Sequence, residues 1–134
     1  MKPLIIYAVI VLTLFGGIAV GYHSHLTRNP RKILVALDTS YSMQSAWNDV
    51  LPLLEQIRRR RYAGFSLITD KAKIHTWRSD LEPGVLRLYG PRNLVQLRDS
   101  RRYPEIAAAH ERILITNETS ANLNGFDGWR IARP

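Results

Sequence analysis

The sequence predicts an α/β domain with a truncated, doubly wound and mostly parallel sheet, preceded by an N-terminal transmembrane helix. Three observations support this fold class. An uncharged apolar run, Leu4–Gly21, is long enough for a helix that crosses a membrane. Ile33–Leu37 and Ile113–Ile115 are continuous apolar runs, which are typical of strands buried on both faces of a parallel sheet. Between these runs, apolar residues recur at helical spacing over Gln44–Arg61.

Length and composition limit the function. The chain has 134 residues, enough for one domain and a short appendage. It has no cysteine, which excludes a disulfide framework, a thiolate nucleophile and a cysteine-ligated metal centre. Lys and Arg number 19 against 11 Asp and Glu, and this net charge of +8 favours acidic partners. Membrane lipid and an acidic protein face are the partners we expect. Nucleic acid is not expected, because no recognised binding motif is present.

The N-terminal apolar run predicts a single-pass anchor in the cell (inner) membrane. Pro30 disfavours helical backbone at Asn29, so the helix should end before this point. The predicted divisions of the chain are an anchor at 1–22, a linker at 23–30 and an α/β domain at 31–134.

Two questions about this segment stay open in the sequence. A cleaved signal peptide is the alternative to an anchor, because Ala19-Val20-Gly21 fits a small-x-small cleavage pattern. The side of the membrane is undecided, because basic residues lie on both sides of the apolar run, with Lys2 before it and Arg28 after it. The very short positive tail before the span favours a domain outside the cytoplasm.

The remaining patterns predict the other elements of the domain. Ser45 is the candidate N-cap of the helix Gln44–Arg61, and Pro52 should kink its first turns. The other predicted elements are strands at Gly64–Thr69, Ala72–Trp77 (antiparallel or at an edge), Ile113–Thr116 and Trp129–Ile131, and a short helix at Pro104–His110.

A polar loop, Asp38-Thr39-Ser40-Tyr41-Ser42, follows the first predicted strand directly. A carboxylate in this position lies where open α/β sheets bind their ligands, outside the carboxyl ends of the strands. The simplest interpretation is a turn between strand and helix, since Asp, Ser and Thr are common capping residues. A phosphatase of the haloacid dehalogenase type is disfavoured, because that family requires a second acid where this chain has Ser40.

The D-x-S-x-S pattern between an apolar strand and an amphipathic helix resembles the metal-ion-dependent adhesion site of the von Willebrand factor A (vWA) domain. The resemblance covers Lys32 to Thr119 and is to a short, degenerate, bacterial membrane-anchored type. It implies a Rossmann-like fold and a Mg²⁺ ion whose open coordination position takes a carboxylate from a partner protein. Hydroxyl and carboxylate oxygens suit such a hard cation. The metal ligands that the resemblance implies are Asp38, Ser40, Ser42 and Asn117.

The chain departs from the vWA pattern at two ligand positions. Family members supply a threonine from a middle loop, but no threonine occurs between Trp77 and Ile113. The family aspartate after the fourth core strand is replaced by Asn117-Glu118. The implied metal site is therefore incomplete, and a structural role without metal stays open.

The resemblance implies a membrane-anchored protein-binding module, an accessory or structural subunit of a membrane protein complex. One alternative is a metal-dependent assembly or maturation factor that acts with a MoxR-type ATPase. A second is a basic domain that binds anionic lipid or nucleic acid. No enzymatic activity is expected, because the sequence offers no recognisable Ser/His/Asp set and no Gly-rich phosphate loop.

The short domain is expected to be completed by another protein. About 104 residues with two predicted helices should leave an apolar patch or an open sheet edge. Leu86–Leu97 and Trp129 are the candidates for the apolar part of this surface. The candidate residues for an acidic partner are the four consecutive arginines Arg58, Arg59, Arg60 and Arg61.

Overall fold

The computed structural model describes residues 2–134 and divides into two compact units, one up to Pro30 and one from Arg31 to Pro134. The first unit is the helix α1, Lys2–Arg28, in which no residue is buried. Its 27 residues span about 40 Å at the helical rise of about 1.5 Å per residue. The helix is long and apolar enough to cross a membrane, and a signal sequence near the N-terminus would meet the same description.

The expected linker is largely helical, which corrects the predicted boundary. Helix α1 continues through residues 23–28, and the Thr27 hydroxyl donates a hydrogen bond of 2.8 Å to the carbonyl of His23. The backbone and side-chain amides of Asn29 both donate to the carbonyl of His25, at 3.0 and 3.1 Å. Polar residues continue a helix when no breaker intervenes, so the helix ends only before Pro30, as predicted.

The second unit is an α/β domain built on one mixed sheet of five strands in the order β3-β2-β1-β4-β5. Its strand pairs β1–β2, β1–β4 and β4–β5 are parallel, and β3 pairs with β2 in the antiparallel direction at one edge. This arrangement confirms the predicted α/β class and is compatible with a Rossmann-like fold. The strands are β1 Arg31–Leu37, β2 Ala63–Thr69, β3 Lys73–Arg78, β4 Glu111–Ile115 and β5 Arg130–Ala132.

The helix α2 is shorter than predicted. A 3-10 helix at Tyr41–Ala46 leads directly into α2, Trp47–Arg58, and the residue at its N-cap is Ala46 and not Ser45. Ala46 has no polar side chain, so no side-chain cap forms at the start of α2. The last three arginines of the predicted helix lie beyond its final turn.

Both faces of the sheet are covered by apolar side chains, and β3 and β5 are its two edge strands, so of the two expected features the open edge remains. Alternate residues of β1 point to opposite sides, with Val35 on the α2 face and Leu34 on the other. The second face is covered by a 3-10 helix, Leu94–Arg98, by the short helix α3, Glu105–Ala108, and by loops that include Leu123 and Phe126. Irregular segments therefore bury the apolar surface of this face.

The two candidates for an exposed apolar surface are only partly exposed, and within Leu86–Leu97 the side chains of Tyr89 and Val95 project from the domain. Leu97 is fully buried in the core of the second face, and Leu86 and Leu88 pack against the core of the first. Trp129 is half-buried and meets the ring of Phe126 edge to face, with 5.2 Å between ring centroids. The apolar side chains that do project from this unit are Tyr41, Leu51, Ile74, Val85, Tyr89 and Val95.

Candidate functional site

The candidate site lies where three neighbouring strands end. Asp38 follows β1, Asp70 follows β2 and Thr116 follows β4, and all three are buried. The carboxyl ends of parallel strands meet at one edge of a sheet, so the topology brings these polar residues together. The chain passes from β1 to β2 on one side and later returns to β4 on the other side of β1. This is the topological switch point at which open α/β sheets bind ligands.

Asp38 is the centre of the site and is fully buried. Its Oδ1 accepts a hydrogen bond of 3.0 Å from the backbone N–H of Ser40. Its Oδ2 accepts bonds from the Thr116 hydroxyl at 2.8 Å and from Nε of Arg92 at 2.7 Å. A carboxylate removed from water needs such partners, and a positive charge compensates it best.

Arg92 joins the two strand ends that the sequence placed in the site. Its guanidinium donates through Nε to Asp38, through one Nη to Glu118 and through the other Nη to the side-chain oxygen of Asn117. The side chain is 19% exposed, against 0% for Asp38. Burial by itself lowers the pKa of Arg92, but the charges and hydrogen bonds of Asp38 and Glu118 outweigh it and raise the pKa.

The loop that carries Arg92 is held against the site at both ends. Before Arg92, the backbone N–H of Tyr89 donates to Thr39 O at 3.0 Å, and Gly90 O accepts from the N–H of Tyr41 at 3.1 Å. After it, the backbone N–H of Asn93 donates to Asp70 Oδ2 at 3.3 Å.

Asp70 is the anchor of this arrangement. It also accepts two hydrogen bonds from Thr39, from the backbone N–H at 3.0 Å and from the hydroxyl at 2.8 Å, and pairs with Lys71 Nζ at 2.5 Å. Burial raises the pKa of Asp70, but the hydrogen bonds from Lys71 and Thr39 outweigh it and lower the pKa. An ionised Asp70 therefore ties the loop after β1 to the loop that positions Arg92.

Glu118 is the second carboxylate that Arg92 contacts. Its Oε1 accepts hydrogen bonds from the Asn122 side-chain amide at 3.1 Å and from the Thr119 backbone N–H at 2.9 Å. These two bonds and the one from Arg92 lower the pKa of Glu118 to about 2. Glu118 is therefore ionised at neutral pH, and one guanidinium serves two carboxylates.

The ligands implied for a metal converge only in part. Asn117 Nδ2 donates to the backbone carbonyl of Ser42 at 2.7 Å, so the loops after β1 and β4 touch. Ser42 is exposed, whereas the Ser40 hydroxyl is buried and has no hydrogen-bond partner among residues 2–134. An unpaired buried hydroxyl could be a metal ligand, and it is the one feature that favours a cation here.

The donor set as a whole does not fit a divalent cation while Arg92 lies in it. Oxygens of Asp38, Asn117 and Glu118 already accept hydrogen bonds from the guanidinium. A divalent ion about 4 Å from that charge would be repelled by about 8 kcal/mol at an effective dielectric constant of about 20. Within the described residues, no group of three His, Cys, Asp or Glu side chains could hold a metal ion.

The candidate partner-binding arginines lie elsewhere and are largely paired within the domain. Arg58 forms two hydrogen bonds with Asp80, at 2.6 and 2.8 Å, and Arg60 pairs with Glu111 at 2.7 Å. Arg59 lies 3.6 Å from Glu55, and Arg61 is exposed. Trp129, the other candidate for partner binding, packs against Phe126.

A groove of about 350 Å³ opens beside Arg92 and Glu118. Leu94, Val95 and Phe126 provide apolar lining, and Val95 is 64% exposed. The groove therefore combines a charged wall with apolar side chains.

Three residues of this site were absent from the sequence prediction. Asp70 and Thr116 each follow a buried strand, as Asp38 does, and that position is a signal that could have found them. Arg92 carried no such signal, because its place depends on the path of an irregular loop. Comparisons with known proteins find no matching family model, no similar curated protein and no similar solved structure.

Proposed function

We propose that this chain is a membrane-anchored protein-binding module with a vWA-like domain, an accessory or structural subunit of a membrane complex. The observation that carries the proposal is the meeting of the Asp38-Thr39-Ser40-Tyr41-Ser42 loop with Asn117 and Glu118 at the switch point of the sheet. The partner binds in the groove beside Arg92, and the module acts by binding and not by catalysing a reaction.

The helix α1 supports the membrane part of this proposal by its length and composition. In an anchored protein, α1 is not cleaved from the chain and keeps the α/β domain attached to the membrane. Alkaline extraction of membranes and the intact mass of the extracted protein test this directly. Retention in the membrane pellet with α1 present is expected, whereas a mature chain that lacks α1 would contradict the anchor.

The test of partner binding uses the detergent-solubilised full chain and two matched variants. Val95→Glu places a charge in the groove, and Val85→Glu places the same charge on a similarly exposed valine outside it. A specific partner should co-purify with the wild type and with Val85→Glu but be lost from Val95→Glu. Equal retention by both variants would contradict the groove as the binding site.

The metal-dependent alternative, an assembly factor that acts with a MoxR-type ATPase, draws its support from the unpaired Ser40 hydroxyl. It requires a bound cation, so chelation with EDTA should release its partner. Under the main proposal the partner stays bound in EDTA. The lipid-binding alternative draws its support from the exposed Arg59 and Arg61, and predicts instead that the Arg59→Ala/Arg61→Ala variant loses binding to anionic vesicles.

A further inference from the structure

Arg92 lies between the two polar loops of the site, the loop after β1 and the loop after β4. In the vWA-like arrangement, a metal ion lies between the loop after β1 and the loop after β4. In this chain the guanidinium of Arg92 lies between the same loops and contacts one side chain of the first and two of the second, Asp38, Asn117 and Glu118.

We propose that the guanidinium of Arg92 takes the place of the metal ion, so that the site forms without a divalent cation. The oxygens that the guanidinium contacts then form a latent metal site, which becomes available when Arg92 is removed. This inference rests on the vWA-like arrangement of the proposed function but not on partner binding. Its test needs the protein alone, so it can fail while partner binding stands, and the reverse also holds.

The chemistry of the guanidinium suits this role. Arginine keeps its charge at all physiological pH values, and its planar fork of five N–H donors can serve several acceptors at once. Three acceptors are in place here, and two of them are carboxylates. A lysine has fewer N–H donors, and all of them lie on one nitrogen atom. A metal ion would bind the same oxygens that already accept hydrogen bonds from Arg92.

The supporting loop shows that the placement of Arg92 is built into the fold. Lys71 Nζ donates to the carbonyl of Pro91 at 2.5 Å, and Asp70 accepts from the N–H of Asn93, so both neighbours of Arg92 are fixed. Asp70 in turn is held by the loop that carries Asp38 and Ser40. The guanidinium is therefore directed at Asp38 by the same hydrogen bonds that close the site.

Removal of the guanidinium would leave two carboxylates, an amide oxygen and the unpaired Ser40 hydroxyl without a cation. Oxygen ligands of this kind are those that Mg²⁺ and Mn²⁺ prefer. The Arg92→Ala variant should therefore acquire divalent-cation binding that the wild type lacks.

The experiment measures thermal unfolding of the full chain in detergent by tryptophan fluorescence, with and without millimolar MnCl2 and with NaCl matched for ionic strength. All three tryptophans lie in the α/β unit and report its unfolding. The variants are Asp38→Asn, Arg92→Ala, Arg92→Ala/Asp38→Asn and the charge-matched control Arg101→Ala, which alters an exposed arginine outside the site.

The expected result is a Tm that Mn²⁺ leaves unchanged in the wild type and in Arg101→Ala. In Arg92→Ala the Tm should be lower without metal and rise by several degrees with Mn²⁺, because a ligand that binds only the folded state stabilises it. The rise should disappear in Arg92→Ala/Asp38→Asn.

Two results would overturn the proposal. One is a Mn²⁺-dependent rise in the wild type that Asp38→Asn abolishes, since it would show a metal site with Arg92 present. The other is the absence of any metal response in Arg92→Ala. If Arg92→Ala does not fold without metal, Arg92→Gln is measured in its place. The proposal is overturned if Mn²⁺ stabilises neither Arg92→Ala nor Arg92→Gln.

Discussion

The amino ends and the carboxyl ends of the parallel strands each carry a cluster of arginines and carboxylates, but the numbers of arginines and carboxylates are reversed between the two clusters. At the amino ends of the parallel strands, the single carboxylate of Glu111 lies near three arginines, with N–O distances of 3.4 Å to Arg31, 2.7 Å to Arg60 and 3.7 Å to Arg130. At the carboxyl ends, Arg92 alone serves both Asp38 and Glu118.

The difference lies in redundancy and burial. Arg31 and Arg130 are each 64% exposed, so they are solvated and can replace one another as partners of Glu111. Asp38 is fully buried, and Arg92 is the cation that its side chain contacts. A cluster with spare cations at the surface tolerates substitution, whereas a buried cluster with one cation does not. The site at the carboxyl ends of the strands therefore depends on one residue, Arg92.

The largest effect is expected for Arg92→Ala. It leaves Asp38 buried without its charge partner, which costs about 3–5 kcal/mol of unfolding free energy when a buried ion pair loses one member. Urea unfolding of the full chain in detergent, followed by tryptophan fluorescence without divalent cations, measures this cost. A loss below about 1 kcal/mol, the range of surface pairs, would remove the contrast between the two edges.

Glu118→Gln should change the pH dependence of stability. The pKa of Glu118 is lowered from 4.5 to about 2 on folding, so its contribution is complete above about 4.5 and is lost as the pH falls toward about 2. The variant cannot titrate and should lose less stability over this range than the wild type. Parallel curves of unfolding free energy against pH would show that Glu118 does not hold its charge in the site.

Arg60→Ala tests the opposite edge and should have a small effect. Arg31 and Arg130 remain near Glu111, so the expected loss is at most about 1 kcal/mol and should shrink further as salt is added. The same urea unfolding at low and high NaCl concentration measures it. A loss equal to that of Arg92→Ala would contradict the redundancy of this edge.

Ser40→Ala should have the smallest effect. The Ser40 hydroxyl is buried but makes no hydrogen bond within residues 2–134, so its removal breaks none and should leave the free energy of unfolding unchanged or slightly raised. In Arg92→Ala, the same substitution should weaken binding of Mn²⁺. A large loss from Ser40→Ala in the wild type, seen only when Mn²⁺ is present, would show that the hydroxyl is a metal ligand while Arg92 is in place.

The sequence predicted the sheet better than the segments that cover it. Ile33–Leu37 and Ile113–Ile115 lie in β1 and β4, because continuous apolar runs are the direct consequence of burial on both faces. The helix predicted over Gln44–Arg61 was too long at both ends, because helical spacing of apolar residues does not distinguish a 3-10 turn from the start of an α-helix. The segments that cover the second face are short and irregular, so their apolar residues follow no helix or strand periodicity from which they could be predicted.

The site was predictable to the extent that it follows from strand ends. Asp38 and Asn117 both lie at the carboxyl ends of β1 and β4, because these two strands pair in parallel. Arg92 was not predicted, because it comes from a loop whose path is set by long-range hydrogen bonds to Asp70, Thr39 and Tyr41. The residue that decides the chemistry of the site is therefore the one with no local signal.

The most direct test of the central claim is X-ray diffraction from crystals of the wild-type protein grown with millimolar MnCl2, with anomalous data collected at the manganese edge. The account predicts the Arg92 guanidinium between Asp38 and Glu118 and no anomalous peak among the loops after β1 and β4. A manganese peak within coordination distance of Ser40 and Asp38, with Arg92 turned away from the site, would contradict it.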